Sequence, residues 1–254
     1  MKELLKKILL FTFCLFISAS ALAKKPVYHY VHIETDKGNC LLKLYNATPK
    51  HRDNFVKLVR EGFYEDLMFH RVIENFMVQG GDPDSKFAAQ MQELGEGGPD
   101  YTLAAEIQDT LIHKKGAIGA ARDNNPAKRS SASQFYLVQG HVFTQPALDS
   151  LEQFRLKGEK LTPLQRETYS TIGGTPHLDN NYTVFGELIE GLEIIDKIAS
   201  METDRRDRPV EDVRMKMKVL SRREALNLER EQAGLPAKNG AITKFFDLFS
   251  SPNY

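Results

Sequence analysis

The chain has 254 residues, of which 41% are hydrophobic and 27% are charged. This balance is typical of a globular protein with a buried core. Acidic and basic residues are equal in number, so the formal net charge is zero. That excludes a strongly basic overall composition of the kind that favours nucleic-acid binding, and we expect no nucleic-acid partner.

The first 23 residues have the composition of a secretory signal peptide. The basic start MKELLKK is followed by the apolar run ILLFTFCLFI and the small residues SASALA. An apolar run of about ten residues is too short to span a membrane as a helix. We expect cleavage after Ala23 and export to the periplasm or the medium, with no membrane attachment afterwards. Two alternatives stay open: an uncleaved anchor, and a lipoprotein at Cys14, where the bulky Phe13 fits poorly.

Cysteine content places a limit on how the exported protein is held together. The sequence has two cysteines, and removal of residues 1–23 leaves Cys40 alone. A single cysteine forms no internal disulfide, so the core must stabilise the fold unaided.

The first predicted elements are a β-hairpin and a helix. The runs YHYVHIET (28–35) and CLLKLY (40–45) flank the turn DKGN, which predicts two paired strands. Thr48 then offers a helix N-cap and Pro49 the first helical position. Gly62 can end this helix. Its apolar residues at helical spacing are Phe55, Leu58 and Val59.

Two polar residues interrupt the strand-like stretch FHRVIENFMVQGGDP (69–83). Alternation along a strand puts Phe69, Arg71 and Ile73 on one face, with His70 and Val72 on the other. The same alternation groups Met77 with Gln79, so Arg71, Met77 and Gln79 are predicted to share a face. An arginine there offers five fixed N–H donors and keeps its proton. His70 faces away, and we interpret it as a core histidine with satisfied hydrogen bonds.

The later elements are short strands with one more clear helix. Alternation in the last strand predicts one buried face, formed by Val213, Met215, Met217 and Val219. Many short strands with two helices predict an all-β-dominated fold built on a closed antiparallel barrel. The strands are GAIGAA (116–121), SQFYLVQ (133–139), YTVFGELI (182–189) and VRMKMKVL (213–220); the helix is LEIIDKIAS (192–200), with Leu192, Ile195 and Ile198 on one stripe.

Two segments stand outside this pattern. Residues 140–176 are polar and helix-prone, and we interpret them as a helical insertion in a domain at 24–222. One predicted helix lies in PALDSLEQFRLKG (146–158), and Thr162 starts another that ends at Gly173. The tail at 223–254 is charged and then carries FFDLF. It is predicted to be a helix or loose segment on the barrel, or else disordered.

Four blocks of the sequence resemble the cyclophilin-type peptidyl-prolyl cis–trans isomerases. FHRVIENFMVQGGDP is similar to the family's signature. HKKGAIGAAR (113–122), SQFYLVQG (133–140) and HLDNNYTVFG (177–186) are similar to its later blocks, in the same order. The resemblance covers about residues 28–140 and 175–220. It implies an eight-stranded closed barrel capped by two helices, with the active groove on its outer surface.

The resemblance also implies roles for individual residues. Arg71, Gln79 and Phe76 would be catalytic, with Gln79 positioning the arginine. The remaining residues would bind substrate: Met77, Tyr136 and Leu178 with Phe76 in a proline pocket, Ala121, Arg122 and Gln134 along the groove, and His177 and Tyr182 at the rim. Because alternation opposes Phe76 to Met77, the strand must begin irregularly near 74–76 if both line the pocket.

The implied activity is rotation of X–Pro bonds in unfolded or flexible proline-containing polypeptides, by a monomer that needs no metal or cofactor. His177, Tyr136, Arg122 and Glu74-Asn75 differ from the residues common in the family, and we expect only weak binding of cyclosporin-like ligands. The alternative is a chaperone or binding module that holds proline-containing segments with little turnover. In a third interpretation, residues 140–176 narrow the groove.

Overall fold

A computed structural model of the protein describes residues 27–237. The predicted signal peptide and the FFDLF motif lie outside these residues. One compact unit spans Tyr28–Leu220. Its strands are β1 (His29–Thr35), β2 (Gly38–Leu44), β3 (Arg71–Ile73), β4 (Met77–Gly80), β5 (Thr102–Leu103), β6 (Ala117–Ala120), β7 (Ser130–Ser131), β8 (Phe135–Val138), β9 (Val184–Glu190) and β10 (Lys216–Val219). Its helices are α1 (Pro49–Arg60), α2 (Gln145–Ser150), α3 (Pro163–Thr171) and α4 (Leu192–Ala199).

Eight strands form one curled antiparallel sheet, a half-barrel in the order β10-β1-β2-β9-β6-β8-β4-β3. Strands β5 and β7 form a separate small sheet. The edges of the large sheet are β3 and β10. Beside these edges, the Phe69 amide donates to the Val213 carbonyl and the Met215 amide to the Leu67 carbonyl, both at 2.9 Å.

The predicted first hairpin is confirmed, with a shorter turn. Thr35 pairs with Gly38, which leaves Asp36 and Lys37 as a two-residue turn. The Thr35 hydroxyl donates to the Gly38 carbonyl at 2.8 Å and fixes the turn. Cys40 lies on β2 facing the core, and its burial raises the pKa of the thiol to about 12.

Helix α1 starts at Pro49 as predicted, but Thr48 does not cap it through its side chain. The capping group is Glu106, whose carboxylate accepts from the main-chain N–H of Lys50 at 3.1 Å and of His51 at 3.0 Å. An acid at a helix N-terminus also interacts favourably with the helix dipole. The same carboxylate bonds His51 Nδ1 at 2.7 Å, so it ties a distant loop to the helix.

The core lies between the inner face of the sheet and helices α1 and α4. Phe55 packs against three aromatic rings with centroids 5.1 to 5.6 Å away. In α4, Ile195 and Ile198 are buried as predicted, whereas Leu192 is 40% exposed and Ile194 is buried in its place. Met217 of β10 and the preceding Val213 and Met215 lie in this core, as the alternation predicted, and Val219 is partly buried; the regular strand is shorter than predicted. The three rings that pack on Phe55 are those of Tyr64, Phe135 and Phe185.

Phe69 does not share a face with Arg71, contrary to the prediction. It is buried in the core together with Val72. Regular pairing begins only at Arg71, and the preceding residues run as irregular chain beside Val213. The strand alternation therefore does not extend back to Phe69.

The helices predicted within 140–176 are confirmed. Helix α2 continues as a π-helical turn over Leu151–Arg155, and α3 begins with a capping box between Thr162 and Gln165. These helices form a small apolar core of their own, made of Ile112, Leu148, Leu161 and Tyr169. Glu152 is buried beside it and bonds Lys160 and Arg166, both at 2.7 Å. The bond to Lys160, with the other donors, lowers the pKa of Glu152 to about 2.

Beyond Leu220, the chain forms helix α5 (Arg222–Gln232). Ser221 caps it, and the Glu224 carboxylate accepts from the Ser221 amide at 2.6 Å. Helix α5 belongs to a unit separate from Tyr28–Leu220. The described part of the predicted tail is therefore helical, which is one of the predicted alternatives. No helix among residues 27–237 is long and apolar enough to cross a membrane.

Candidate active site

Strands β3 and β4 bring the two interrupting polar residues together. Arg71 lies directly opposite Gln79 in the antiparallel register, and Ile73 lies opposite Met77. Opposed residues of an antiparallel pair share a face, so the prediction that Arg71, Met77 and Gln79 lie together is confirmed. Val72 and Val78 point the other way, into the core.

The acidic partner of Arg71 comes from a distant loop. Its Nε donates to Oδ2 of Asp207 at 3.4 Å, and the Val72 amide donates to the Asp207 carbonyl at 2.7 Å. The two side chains are 43% and 44% exposed. A half-exposed pair at this distance is weak. Asp207 contacts the guanidinium through Nε, and among residues 27–237 its terminal N–H groups have no partner, so they are available to a ligand.

Gln79 does not hold Arg71 by a direct hydrogen bond, contrary to the implied role. Within residues 27–237 its amide donates instead to Oε1 of Gln134 at 3.0 Å. Gln134 is buried and donates in turn to the carbonyls of Gly95 at 2.7 Å and Gly97 at 2.9 Å. This side-chain relay anchors the loop at 95–100 to the sheet. Both N–H groups of the Gln134 side chain, which was predicted to line the groove, are therefore bonded to the loop.

An apolar cluster covers the outer face of the sheet beside Arg71. The turn before β4 makes it possible, because Asn75 adopts a left-handed conformation with φ of 61°. The predicted irregularity at 74–76 is thus confirmed, and it lets Phe76 and Met77 face the same cluster. Six of the predicted site residues belong to this cluster: Phe76, Met77, Ala121, Tyr136, Leu178 and Tyr182.

Tyr136 forms the floor of the cluster and is held by a buried polar network. Its ring packs on Gly119, where an added Cβ would lie 2.3 Å from the ring, so only glycine fits. Its hydroxyl bonds Nε2 of His113 at 2.8 Å, and burial raises the pKa of Tyr136. Nδ1 of His113 bonds Oδ1 of Asp179 at 2.7 Å. Because a carboxylate only accepts, Nδ1 carries the hydrogen of the bond to Asp179.

The same network reaches residues 140–176, called the helical segment below. Oδ2 of Asp179 accepts from the Tyr169 hydroxyl at 2.6 Å and from the Gln165 amide at 2.8 Å. Burial, followed by the charge of Asp179, raises the pKa of Tyr169. Helix α3 is thereby linked to Tyr136 through two buried side chains. Sequence reasoning missed His113 and Asp179, although both lie in or beside the blocks that it singled out.

The predicted rim residues line two sides of the cluster. His177 stacks on Phe76 with ring centroids 5.5 Å apart. Burial is the main cause that lowers the pKa of His177 to about 4, and Arg155 is the next. On another side, the guanidinium of Arg122 lies 4.7 Å above the Tyr182 ring and its Nε donates to the Asn181 carbonyl at 2.9 Å.

His70 is buried, as predicted, but its hydrogen bonds are not satisfied. Neither ring nitrogen has a partner among the described residues. Burial lowers the pKa of His70 to about 4, Arg71 and Arg208 lower it further, and Asp82 opposes the shift. His70 is therefore neutral at pH 7, and its Nε2 lies close to Gly95 of the 95–100 loop.

Comparison with known proteins gives consistent results. A family model described as cyclophilin type peptidyl-prolyl cis-trans isomerase/CLD matches residues 30–219. A Staphylococcus epidermidis protein named as a peptidyl-prolyl cis-trans isomerase is 35% identical over 72% of this chain and 87% of its own length. A Streptococcus pyogenes protein named as a bifunctional phosphatase/peptidyl-prolyl cis-trans isomerase is 37% identical over 72% of this chain. The match spans only 37% of that bifunctional protein.

Solved structures share the fold. A Cryptosporidium parvum cyclophilin type peptidyl-prolyl cis-trans isomerase superposes with a TM-score of 0.57 at 23% identity, over 76% of this chain and 98% of that one. A structure of the same protein, determined in the presence of the dipeptide Ala-Pro, gives a TM-score of 0.54 at 22% identity, over 76% of this chain and 99% of that one.

Proposed function

Because the chain belongs to the cyclophilin-type peptidyl-prolyl cis–trans isomerases, we propose that Arg71 and the apolar cluster around Tyr136 form the site where it rotates X–Pro bonds. One observation carries this assignment: a half-exposed guanidinium lies on the same face as Met77, at the edge of that cluster. The substrates are proline-containing segments of unfolded or flexible polypeptides. The Ala-Pro dipeptide used with a relative is the simplest such ligand.

The chemistry requires no bond to form or break. Amide resonance opposes rotation by about 18–20 kcal/mol. Rotation moves the prolyl nitrogen toward an amine-like, pyramidal state that accepts a hydrogen bond better than the planar amide does. A donor such as Arg71 therefore binds the transition state more tightly than either ground state. A charge-assisted hydrogen bond contributes about 1.5–3 kcal/mol.

The apolar cluster supplies the remaining stabilisation in this proposal. An acceleration of ~10⁵ corresponds to about 7 kcal/mol, more than one hydrogen bond provides. A pocket of Phe76, Met77 and Tyr136 fixes the proline ring and excludes water from the amide, which strengthens the interaction with Arg71. Gln79 and Gln134 keep the adjoining loop in place, and Asp207 orients the guanidinium.

The test compares isomerisation rates of wild type and two Arg71 variants. Two-dimensional NMR exchange on a short Ala-Pro peptide measures kcat/KM without a coupling protease. We expect Arg71→Ala to lower kcat/KM about 10- to 150-fold, the range equivalent to 1.5–3 kcal/mol. Arg71→Lys keeps the charge but loses the planar guanidinium, so its kcat/KM should lie between those of wild type and Arg71→Ala. Arg60→Ala, on the exposed side of α1, is the control. An Arg71→Ala enzyme as fast as this control would disprove the mechanism.

We further propose that the protein acts outside the cytoplasm, in the periplasm or medium. The support is the order of basic, apolar and small residues in 1–23. Mass spectrometry of the protein recovered from cell fractions tests this proposal. The expected N-terminus is Lys24, and recovery of the intact chain from the cytoplasm would contradict it.

We also propose that the half-barrel closes along the segments beside its edges. The support is the pair of main-chain bonds at Phe69 and Met215. Slow hydrogen exchange at both amides is the expected result, and exchange as fast as that of exposed loops would contradict closure.

A holding function is the second candidate, and exposed apolar side chains favour it. Several large ones lie on the helical segment, with exposures of 50% to 76%: Val142, Phe154, Leu164 and Ile172. Replacing all four with Ser should abolish suppression of client aggregation and leave peptide isomerisation intact. Unchanged suppression would eliminate this candidate.

A further inference from the structure

A surface cavity of about 230 Å³ adjoins the apolar cluster; it shares Phe76 with the proposed proline pocket, and most of its lining lies outside that pocket. One side is formed by Phe76 and His177, the stacked pair at the edge of the cluster. The other side comes from the helical segment, through Phe143, Leu151 and Arg155. A polypeptide with its proline beside Phe76 would therefore direct a flanking residue into this cavity.

The lining of the cavity combines one cation, Arg155, with several apolar side chains. The side chain of Arg155 has no ion pair or hydrogen bond within residues 27–237, although acidic residues lie close in sequence. Those acids, Asp149 and Glu152, are both bound to Arg166. His177 lies opposite, and Arg155 contributes to lowering its pKa. The wall thus presents an uncompensated cation that an anionic group would neutralise.

Two further polar residues line the cavity. Thr175 lines the cavity, and its buried hydroxyl has no hydrogen-bond partner among the described residues. His141, which lines the cavity beside it, adds a second imidazole. Buried donors are ordinarily paired. The exposed imidazole of His141, together with the Arg155 guanidinium, favours a ligand with acceptor oxygens over a purely apolar side chain.

We propose that this cavity is a subsite for an acidic side chain, Asp or Glu, next to the proline of the substrate. The proposal rests on the proposed function of the neighbouring cluster. The short alkyl stem packs on Phe143 and Leu151, and the carboxylate pairs with Arg155. The helical segment thereby gives the isomerase a sequence preference.

The experiment measures kcat/KM by NMR exchange on matched peptides that carry Glu, Gln or Lys immediately before or after a single proline. In one of the two positions, wild type should prefer Glu over Gln about fivefold, as expected for a partly exposed ion pair. Arg155→Gln should abolish this ratio, and Arg155→Glu should reverse it in favour of the Lys peptide. Lys157→Gln, the same charge change on a residue that does not line the cavity, should keep the ratio.

The outcomes separate the subsite from the isomerase assignment. Equal rates on Glu and Gln peptides, or a ratio that survives Arg155→Gln, would overturn the subsite while catalysis stands. If wild type isomerises no peptide, the function fails, and the Glu-to-Gln ratio of peptide Kd values, from NMR titration, tests the subsite instead. A fivefold ratio that Arg155→Gln removes supports it there too, and equal Kd values overturn it.

Discussion

Replacement of Asp179 by asparagine tests the buried network that links the helical segment to the floor of the site. The carboxylate is 6% exposed and accepts four hydrogen bonds, from the amide and ring of His113, from Gln165 and from Tyr169. Asparagine keeps the shape but turns one acceptor oxygen into a donor. The remaining oxygen can accept from both donors of His113, so the new amide NH2 group faces Tyr169 and Gln165.

The expected cost follows from what those groups lose. Each hydrogen bond to a charged group contributes about 1.5–3 kcal/mol, and the substitution removes two of them, from Gln165 and Tyr169. Because Gln165 and Tyr169 can reorient to accept, we expect the lower end, a loss of about 3 kcal/mol in the free energy of unfolding. Urea denaturation followed by far-UV circular dichroism at pH 7 measures it, since the sequence has no tryptophan.

Asp109→Asn, a change at an exposed position, is the matched control and should alter stability by less than about 0.5 kcal/mol. A loss below about 1 kcal/mol for Asp179→Asn would refute the reasoning. Tyr169→Phe extends the test. It removes one donor to the same carboxylate, so the two substitutions together should cost at least about 0.5 kcal/mol less than their sum. Strict additivity would contradict a shared network.

Three further predictions concern charge. Asp207→Asn should lower kcat/KM no more than about fivefold, because its half-exposed pair with Arg71 contributes less than about 1 kcal/mol; a loss as large as that of Arg71→Ala in the NMR exchange assay would contradict this. The unfolded chain protonates His70 near pH 6.5 and the folded chain only near pH 4. The free energy of unfolding therefore decreases as the pH is lowered from 6.5 to 4, by up to about 3 kcal/mol. Urea denaturation at several pH values should show that His70→Phe removes this fall, and an unchanged slope would exclude His70 as its source. The pKa of Glu152 is lowered to about 2, so its stabilisation is present above pH 4.5 and lost as pH falls toward 2; hydrogen-exchange protection of α2 and α3 should drop there in wild type but not in Glu152→Gln, and equal curves would contradict the assignment.

Local pattern was sufficient to predict much of this site. Alternation alone grouped Arg71, Met77 and Gln79, because a two-stranded unit with a short turn leaves one register. It also required an irregular start near 74–76, and Asn75 supplies it. The same rule failed at Phe69, since alternation holds only where a strand is regularly paired.

Long-range partners could not be predicted in this way. Asp207 reaches Arg71 across 136 positions, and Glu106 caps α1 from 55 positions away. Neither acid has a local pattern that distinguishes it from other surface carboxylates. Gln134 was predicted to line the groove, but its donors are taken by carbonyls of a loop whose path the sequence does not specify.

Burial of the Cys40 thiol determines how fast the folded protein reacts with thiol reagents and disulfides. Thiol reagents and disulfides react with the thiolate, and a pKa of about 12 with 4% exposure leaves almost none of it in the native state. The folded unit is therefore inert to mixed-disulfide formation at this position, and each modification event records an opening of β2. Cys40 thus provides a built-in kinetic probe: its labelling rate under native conditions measures how often the hairpin leaves the core.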